Sequence, residues 1–173
     1  NVSGIQLQMD DLADRILNYL QESGVPPGNL VVEITESTIV QTMESATRTL
    51  ERLHSMGVQI ALDDFGMGYS PLQYLQKFPV DIIKIDRSFI RGIETSNCNN
   101  SIVSAVIGMS KKMGFITVAE GVETEEQFKH LCKLECDEVQ GYLTGYPMPR
   151  EQMQRILQQQ ESNLDHRSVA VGL

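Results

Sequence analysis

Five times along this chain a short apolar run ends in acids, an amide or a lysine, with helical patterning between most of these runs. The runs are residues 30–36, 58–62, 81–86, 115–119 and 137–143. Runs of this length rich in Val and Ile read as buried strands. Helical patterns cover residues 10–22, 39–56 and 101–113, a short stretch holding Leu72, Tyr74 and Leu75, a stretch opened by Thr124 and a polar stretch at 150–160. Asp10 or Asp11 is placed to cap the first helix. Gly57 and Gly114 close two others, and Thr124-Glu125-Glu126-Gln127 is a capping box. Alternation with short connections gives parallel strands joined by right-handed crossovers. An open doubly wound sheet and a barrel both satisfy that pattern. An open sheet gathers only the strand ends near a switch point, whereas a barrel gathers all of them around one pocket. Because every strand carries its polar groups at its C-terminal end, the expected fold is α/β, a (β/α)8 TIM-type barrel of which the chain covers about six strand–helix units. The expected domain spans residues 1–160, followed by a poorly ordered tail at 161–173.

Composition excludes several alternatives. The 173 residues suffice for one domain with a core. The formal charge is −9 with no basic stripe, which argues against a duplex nucleic-acid surface. An anionic substrate is admissible if metal ions stand between it and the acids. No apolar run is long enough to span a membrane, and no secretory signal pattern is present, so no membrane contact is expected of this segment. Cys98, Cys132 and Cys136 form no CxxC pair and point to a reducing compartment. Cys132 and Cys136 fall four apart on one expected helix, but no histidine pattern completes a zinc site, so packing is their expected role. His54, His130 and His166 are scattered and receive none.

The chemistry collects at the strand ends. Asp63 and Asp64 close an apolar run and precede Gly66-Met67-Gly68. Adjacent carboxylates at the lip of a buried strand are costly unless a cation binds. Asn1, Glu33, Glu36, Asp86, Glu120, Glu123 and Gln140 stand in the same setting, with Lys84 among them. Strand alternation puts Lys84 and Asp86 on one face, and one of Asp63 and Asp64 inward with the other at the rim. An oxygen-only donor set without Cys or His favours Mg²⁺ or Mn²⁺. Two such ions can clamp a phosphate and activate a water. Lys84 can offset charge and orient that water, and Glu120 can take its proton. For any single acid the better reading is a helix cap or a lysine partner; the convergence of the whole set favours the metal site. Gly66-x-Gly68 lacks a third glycine and reads as a tight turn rather than a phosphate cradle.

Asn1-Val2-Ser3, Glu33-Ile34-Thr35-Glu36-Ser37, Asp63-Asp64-Phe65-Gly66-x-Gly68-Tyr69-Ser70, Lys84-Ile85-Asp86-x-Ser88-Phe89, Ala119-Glu120-Gly121-Val122-Glu123-Thr124 and Gln140-Gly141-Tyr142 occur in this order. Together they resemble the EAL-domain cyclic di-GMP phosphodiesterases of bacteria, from residue 1 to about Pro149. The resemblance implies a (β/α)8 barrel that cuts one phosphodiester of cyclic di-GMP to give linear pGpG. It implies that Asn1, Glu33 and Asp63 bind a first metal ion, and that Asp64 and Asp86 serve a second ion and the water. It makes Lys84 a water-orienting group, Glu120 the general base or a metal ligand, and Gln140 a pocket residue. Glu36 and Glu123 are expected to anchor the loop after Asp64. It further implies two Mg²⁺ or Mn²⁺ ions, inhibition by Ca²⁺, a homodimer and a cytoplasmic location, with upstream anchoring of the parent left open. Two departures stand out. The Glu-Ala-Leu segment that names the family, with its metal-binding glutamate, is absent from the sequence. Met67 and Pro71 replace the threonine and second serine usual in the loop, which bears on loop coupling more than on metal binding. The alternative function is a cyclic di-GMP receptor without hydrolysis, or a dimerisation module.

Overall fold

The computed structural model of the protein describes residues 1–41, 43–67, 75 and 77–158. Strands β1 (Val31–Thr35), β2 (Gln59–Phe65), β3 (Ile82–Ile85), β4 (Ile116–Glu120) and β5 (Glu138–Gln140) form one sheet in that order. Every neighbouring pair is parallel. Sequential order with parallel pairing is the wall of a (β/α) barrel, since each crossover sets the next strand beside the last in the same sense. A doubly wound sheet would reverse its order at a switch point, and these five strands do not. The Val2 N–H donates to the Glu33 carbonyl at 2.8 Å, so the first residues run along the outer edge of β1.

Strand alternation divides the sheet into two faces. Val32, Ile34, Ile60, Leu62 and Ile83 point to one core cluster, and Ile85 and Ala119 to a second. The helices pack there: α1 (Gly4–Leu7), α2 (Leu12–Ser23), α3 (Glu36–Gln41), α4 (Met43–Ser55), α5 (Arg87–Ile90), α6 (Asn97–Met113) and α7 (Glu125–Lys133). The opposite face carries Ala61, Ile82 and Val118 as a small apolar layer. Two aspartates just before strands fix the sheet from below. The Ile60 N–H donates to Asp81 Oδ2 at 2.8 Å, and the Thr117 N–H and hydroxyl donate to Asp137 Oδ2 at 2.8 and 2.6 Å. Each aspartate thereby satisfies a backbone N–H near the start of the preceding strand, on a residue that water does not reach.

Several sequence expectations need correction. Ser96 caps α6, its hydroxyl accepting from Asn99 N–H, so the helix begins at Asn97 and not near Ser101. Asn99 Nδ2 also donates to Arg91 O at 3.0 Å, and tertiary bonding overrides the poor helix propensity of this polar run. Two short helices, α1 and α5, were not anticipated; each follows a capping side chain, Ser3 or Asp86. Asp11 occupies the N-cap position of α2 but makes no side-chain bond there. β5 stops at Gln140 because Gly141 begins a turn, with Thr144 N–H donating to Gly141 O at 3.1 Å. α7 ends at Lys133, so Cys132 and Cys136 do not share it; all three cysteines are free. The capping box at Thr124 and Gln127 and the left-handed Gly114 cap are present as read from sequence. Residues 150–158 are helical and exposed over 151–158. The expected short helix at Leu72 and Tyr74, the loop residues Gly68 to Pro71 and the tail at 161–173 lie outside the described residues.

Candidate active site

β2 carries a bulge where it meets β3. Leu62 pairs with Ile83 and Phe65 with Ile85, so Asp63 and Asp64 together oppose Lys84. An extra residue in one strand breaks the alternation of side chains. Asp64 takes up the strain, with φ of 55°, and its N–H donates to Asp63 Oδ1 at 3.0 Å. Asp63 is half-buried and Asp64 exposed, the inward and rim positions read from sequence. Yet the bulge lets both carboxylates reach one place. Oxygens of Asp63, Asp64 and Glu120 lie within 4.8 Å of one another, close enough to hold a single metal ion.

Lys84 sits beneath this cluster, only 5% exposed. Its Nζ is 2.6 Å from Glu120 Oε1, 2.8 Å from Glu33 Oε1 and 3.4 Å from Asp63 Oδ1. Burial pushes the ammonium pKa down, but the hydrogen bonds to Glu120 and Glu33 outweigh it and hold Lys84 above the usual lysine range. Glu120 is raised: burial is the main cause, Lys84 pulls it back in part, and Asp63 and Glu33 add to the rise. Asp64 is raised by burial first and then by the charges of Asp63 and Asp86. Burial is the main cause for both acids, and crowding by neighbouring carboxylates adds to it. Among the described residues three carboxylates share one ammonium, which leaves two negative charges unmatched. Oxygen donors with that deficit fit a divalent cation.

The remaining site residues occupy graded positions. Asn1 is exposed beside the end of β1, where its neighbour Val2 bonds Glu33. Asp86 follows β3 and caps α5, its Oδ1 accepting from Ser88 N–H at 2.9 Å. Gln140 pairs in register with Glu120 and is exposed. Glu36 is buried at the start of α3; its Oε2 accepts from Gly66 N–H at 3.3 Å. Its Oε1 is buried without a hydrogen-bond partner among the described residues. Gly66 has φ of 97°, and a Cβ there would lie 2.9 Å from Phe89, so only glycine allows the turn to close on α5. Met67, the departure in this loop, accepts a hydrogen bond from the Ser88 hydroxyl through its sulfur at 3.2 Å. Glu123 is exposed just after β4, and most of the loop that it and Glu36 are expected to anchor, residues 68–74, lies outside the described residues. Arg87, Ser88, Arg91 and Gln127, none of which has a site role in the sequence analysis, line a cavity beside the cluster with Gly121 and Glu123. The spacing of Arg87 and Arg91, four apart immediately after Asp86, is the one sequence signal for this wall, and four residues of helix carry too little periodicity to show it.

Comparison with known proteins places these features. The EAL domain family model matches residues 1–147. The chain is 41% identical over 153 residues to the bifunctional diguanylate cyclase/cyclic di-GMP phosphodiesterase MucR of Pseudomonas aeruginosa, covering 88% of this chain and 22% of that protein. The crystal structure of the EAL domain of Mycobacterium smegmatis DcpA superposes with a TM-score of 0.86 at 42% identity, over 92% of this chain and 71% of that one. The manganese and cyclic di-GMP complex of Klebsiella pneumoniae BlrP1 at pH 9.0 gives a TM-score of 0.75 at 32% identity, over 80% of this chain and 35% of that one. A calcium and cyclic di-GMP complex of the same protein also matches. The chain spans well under half the length of the curated relatives it matches.

Proposed function

The chain belongs to the EAL domain family, and from that premise we propose that it hydrolyses one phosphodiester of cyclic di-GMP to linear pGpG. The observation that carries this reading is the Lys84 cluster, in which Glu33, Asp63 and Glu120 share a single buried ammonium at the C-terminal ends of parallel strands. That end of a barrel is where active sites form. Two ions, Mg²⁺ or Mn²⁺, would polarise the scissile phosphate and acidify the attacking water when bound. Asn1, Glu33 and Asp63 would hold the first; Asp64 and Asp86 would hold the second and the water. Glu120, raised by burial, accepts the proton of the attacking water. The water oxygen bonds phosphorus as the bond to the 3′ oxygen breaks; the freed 3′ oxygen takes a proton from solvent, and a 5′-phosphate is left on the linear dinucleotide. Lys84, held charged, orients the water and balances part of the carboxylate charge. Gln140, beside Glu120 in the sheet, lines the substrate side of the pocket. Glu36 holds the Gly66 turn and with it the two acids.

The protein acts as a homodimer in the cytoplasm on this reading; no helix among the described residues is long and apolar enough to cross a membrane. The test is metal dependence. Hydrolysis of cyclic di-GMP is expected in Mg²⁺ or Mn²⁺, to vanish in chelator, to return on adding either ion, and to stay low in Ca²⁺, whose looser coordination suits the site badly. Undiminished activity in chelator would exclude the metal mechanism. Binding of cyclic di-GMP without turnover in Mn²⁺ would favour a receptor.

A further inference from the structure

On the reading above Gln140 lines the substrate side of the pocket, and this inference rests on that reading. Gln140 is exposed at the end of β5, where register pairs it with Glu120. β5 is only three residues long and gives its last side chain little support. More support comes from the turn that follows. The Val122 N–H donates to the Gln140 carbonyl at 3.1 Å, and the Leu143 N–H donates to the Val122 carbonyl at 3.0 Å. These two bonds clasp the turn after β5 to the turn after β4, one on either side of Gly141. The fit at Gly141 is tight. A Cβ there would lie 2.2 Å from Val122 O, 2.4 Å from Val122 N and 2.8 Å from Val122 C. All three are backbone atoms, so no side chain can rotate out of the way and the close approach depends on glycine.

The two sides of this clasp are not equally firm. Val122 is fully buried in the core cluster that holds Ile90 and Leu131. The Glu123 N–H that follows donates to Gln127 Oε1 at 2.8 Å, and Gln127 is itself buried. Glu120, two residues earlier, is tied to Lys84 at 2.6 Å. The β5 side is exposed at Gln140 and Tyr142. Its turn is stiff within itself, because the Gly141 carbonyl accepts from the Thr144 N–H and hydroxyl at 3.1 and 2.8 Å and from the Gly145 N–H at 3.2 Å. A side chain at position 141 would therefore push the β5 turn outward as a unit, by roughly 1 Å before contact with Val122 became ordinary, and Gln140 would move with it. A tightly packed glycine most often matters to stability alone, but this one adjoins a pocket residue. We propose that Gly141 is a positioning residue: by lacking a side chain it seats the β5 turn on Val122 and so holds Gln140 in its place beside Glu120.

The test measures cyclic di-GMP hydrolysis in Mn²⁺ by the unmodified protein, Gly141→Ala, Gln140→Ala and the double variant. Each single substitution is expected to raise KM by roughly tenfold with kcat little changed, the loss of one contact to bound substrate. Combined, they should raise KM less than about twofold beyond Gln140→Ala alone, because both act through one side chain. Gly145→Ala, in the same turn but with open space around its Cβ position, should leave both constants as they are. An unchanged KM in either single variant overturns the inference. So does a rise from Gly141→Ala that recurs in full in the Gln140→Ala background, and so does a fall in kcat alone, which marks a smaller folded fraction. Should Gly141→Ala fail to fold, amide hydrogen exchange on the unmodified protein reads the clasp directly. The Val122 and Leu143 N–H groups should exchange on the order of 10²-fold slower than in an unstructured chain, and exchange at the unstructured rate overturns the inference. An unmodified protein that neither cleaves cyclic di-GMP nor binds it in equilibrium dialysis contradicts the proposed function instead.

Discussion

Among the described residues Lys84 is the one cation paired with Glu33, Asp63 and Glu120, and the consequences of that imbalance can be measured residue by residue. Glu120→Gln keeps the shape and a hydrogen bond to Lys84 but cannot take a proton. Turnover is expected to fall by about 10²–10⁴-fold while cyclic di-GMP still binds, read by product chromatography beside equilibrium dialysis. Normal turnover would remove Glu120 as the base. The raised pKa values of Glu120 and Asp64 have a defined sign in stability. An acid whose folded pKa is raised favours the fold while protonated. Its contribution is therefore present below the ordinary values of 4.5 and 3.8 and is lost as the pH climbs through the raised ones. A divalent ion restores what is lost, by meeting the same carboxylates in charged form. The rise in melting temperature on adding Mn²⁺ should thus grow between about pH 5 and about pH 8. A rise that shrinks over that range would contradict the charge-deficit account.

At the scale of elements, β4 and β5 depend on one side chain. Asp137 accepts from both the N–H and the hydroxyl of fully buried Thr117 and donates one bond back, from its N–H to the Thr117 hydroxyl at 3.2 Å. Asp137→Ala strands two buried donors and is expected to cost about 1–3 kcal/mol in denaturant unfolding at neutral pH. The Thr117 hydroxyl lowers the Asp137 pKa. Its contribution is present above the ordinary value of 3.8 and lost as pH falls through the lower folded one, so the gap between protein and variant should close in acid. A gap that widens in acid would mean that Thr117 does not hold the charged form. Strand existence was legible in sequence because the apolar runs are short and end in polar residues. The helices α1 and α5 were not, since four residues carry too little periodicity to register and only their caps announce them. The bulge in β2 was equally silent: two adjacent aspartates read as alternating, and only pairing with β3 shows that both oppose Lys84.

Across the whole molecule, the sequential parallel sheet sets the ends of its strands side by side, and the site follows from that placement. Glu33 on β1, Asp63 and Asp64 on β2, Lys84 on β3 and Glu120 on β4 come from segments distant in sequence, yet they meet because successive crossovers keep one direction. That much could be read from where polar residues close each run. The sharing of one ammonium among three acids, and the cavity between α5 and the β4 turn, required side chains in space. The measurement that bears most directly on the account is incubation of the protein with cyclic di-GMP in Mn²⁺, with the products separated by chromatography. Conversion to linear pGpG, absent in the Glu120→Gln variant, is the expected result. Cyclic di-GMP left intact by a folded protein that demonstrably binds Mn²⁺ would contradict it.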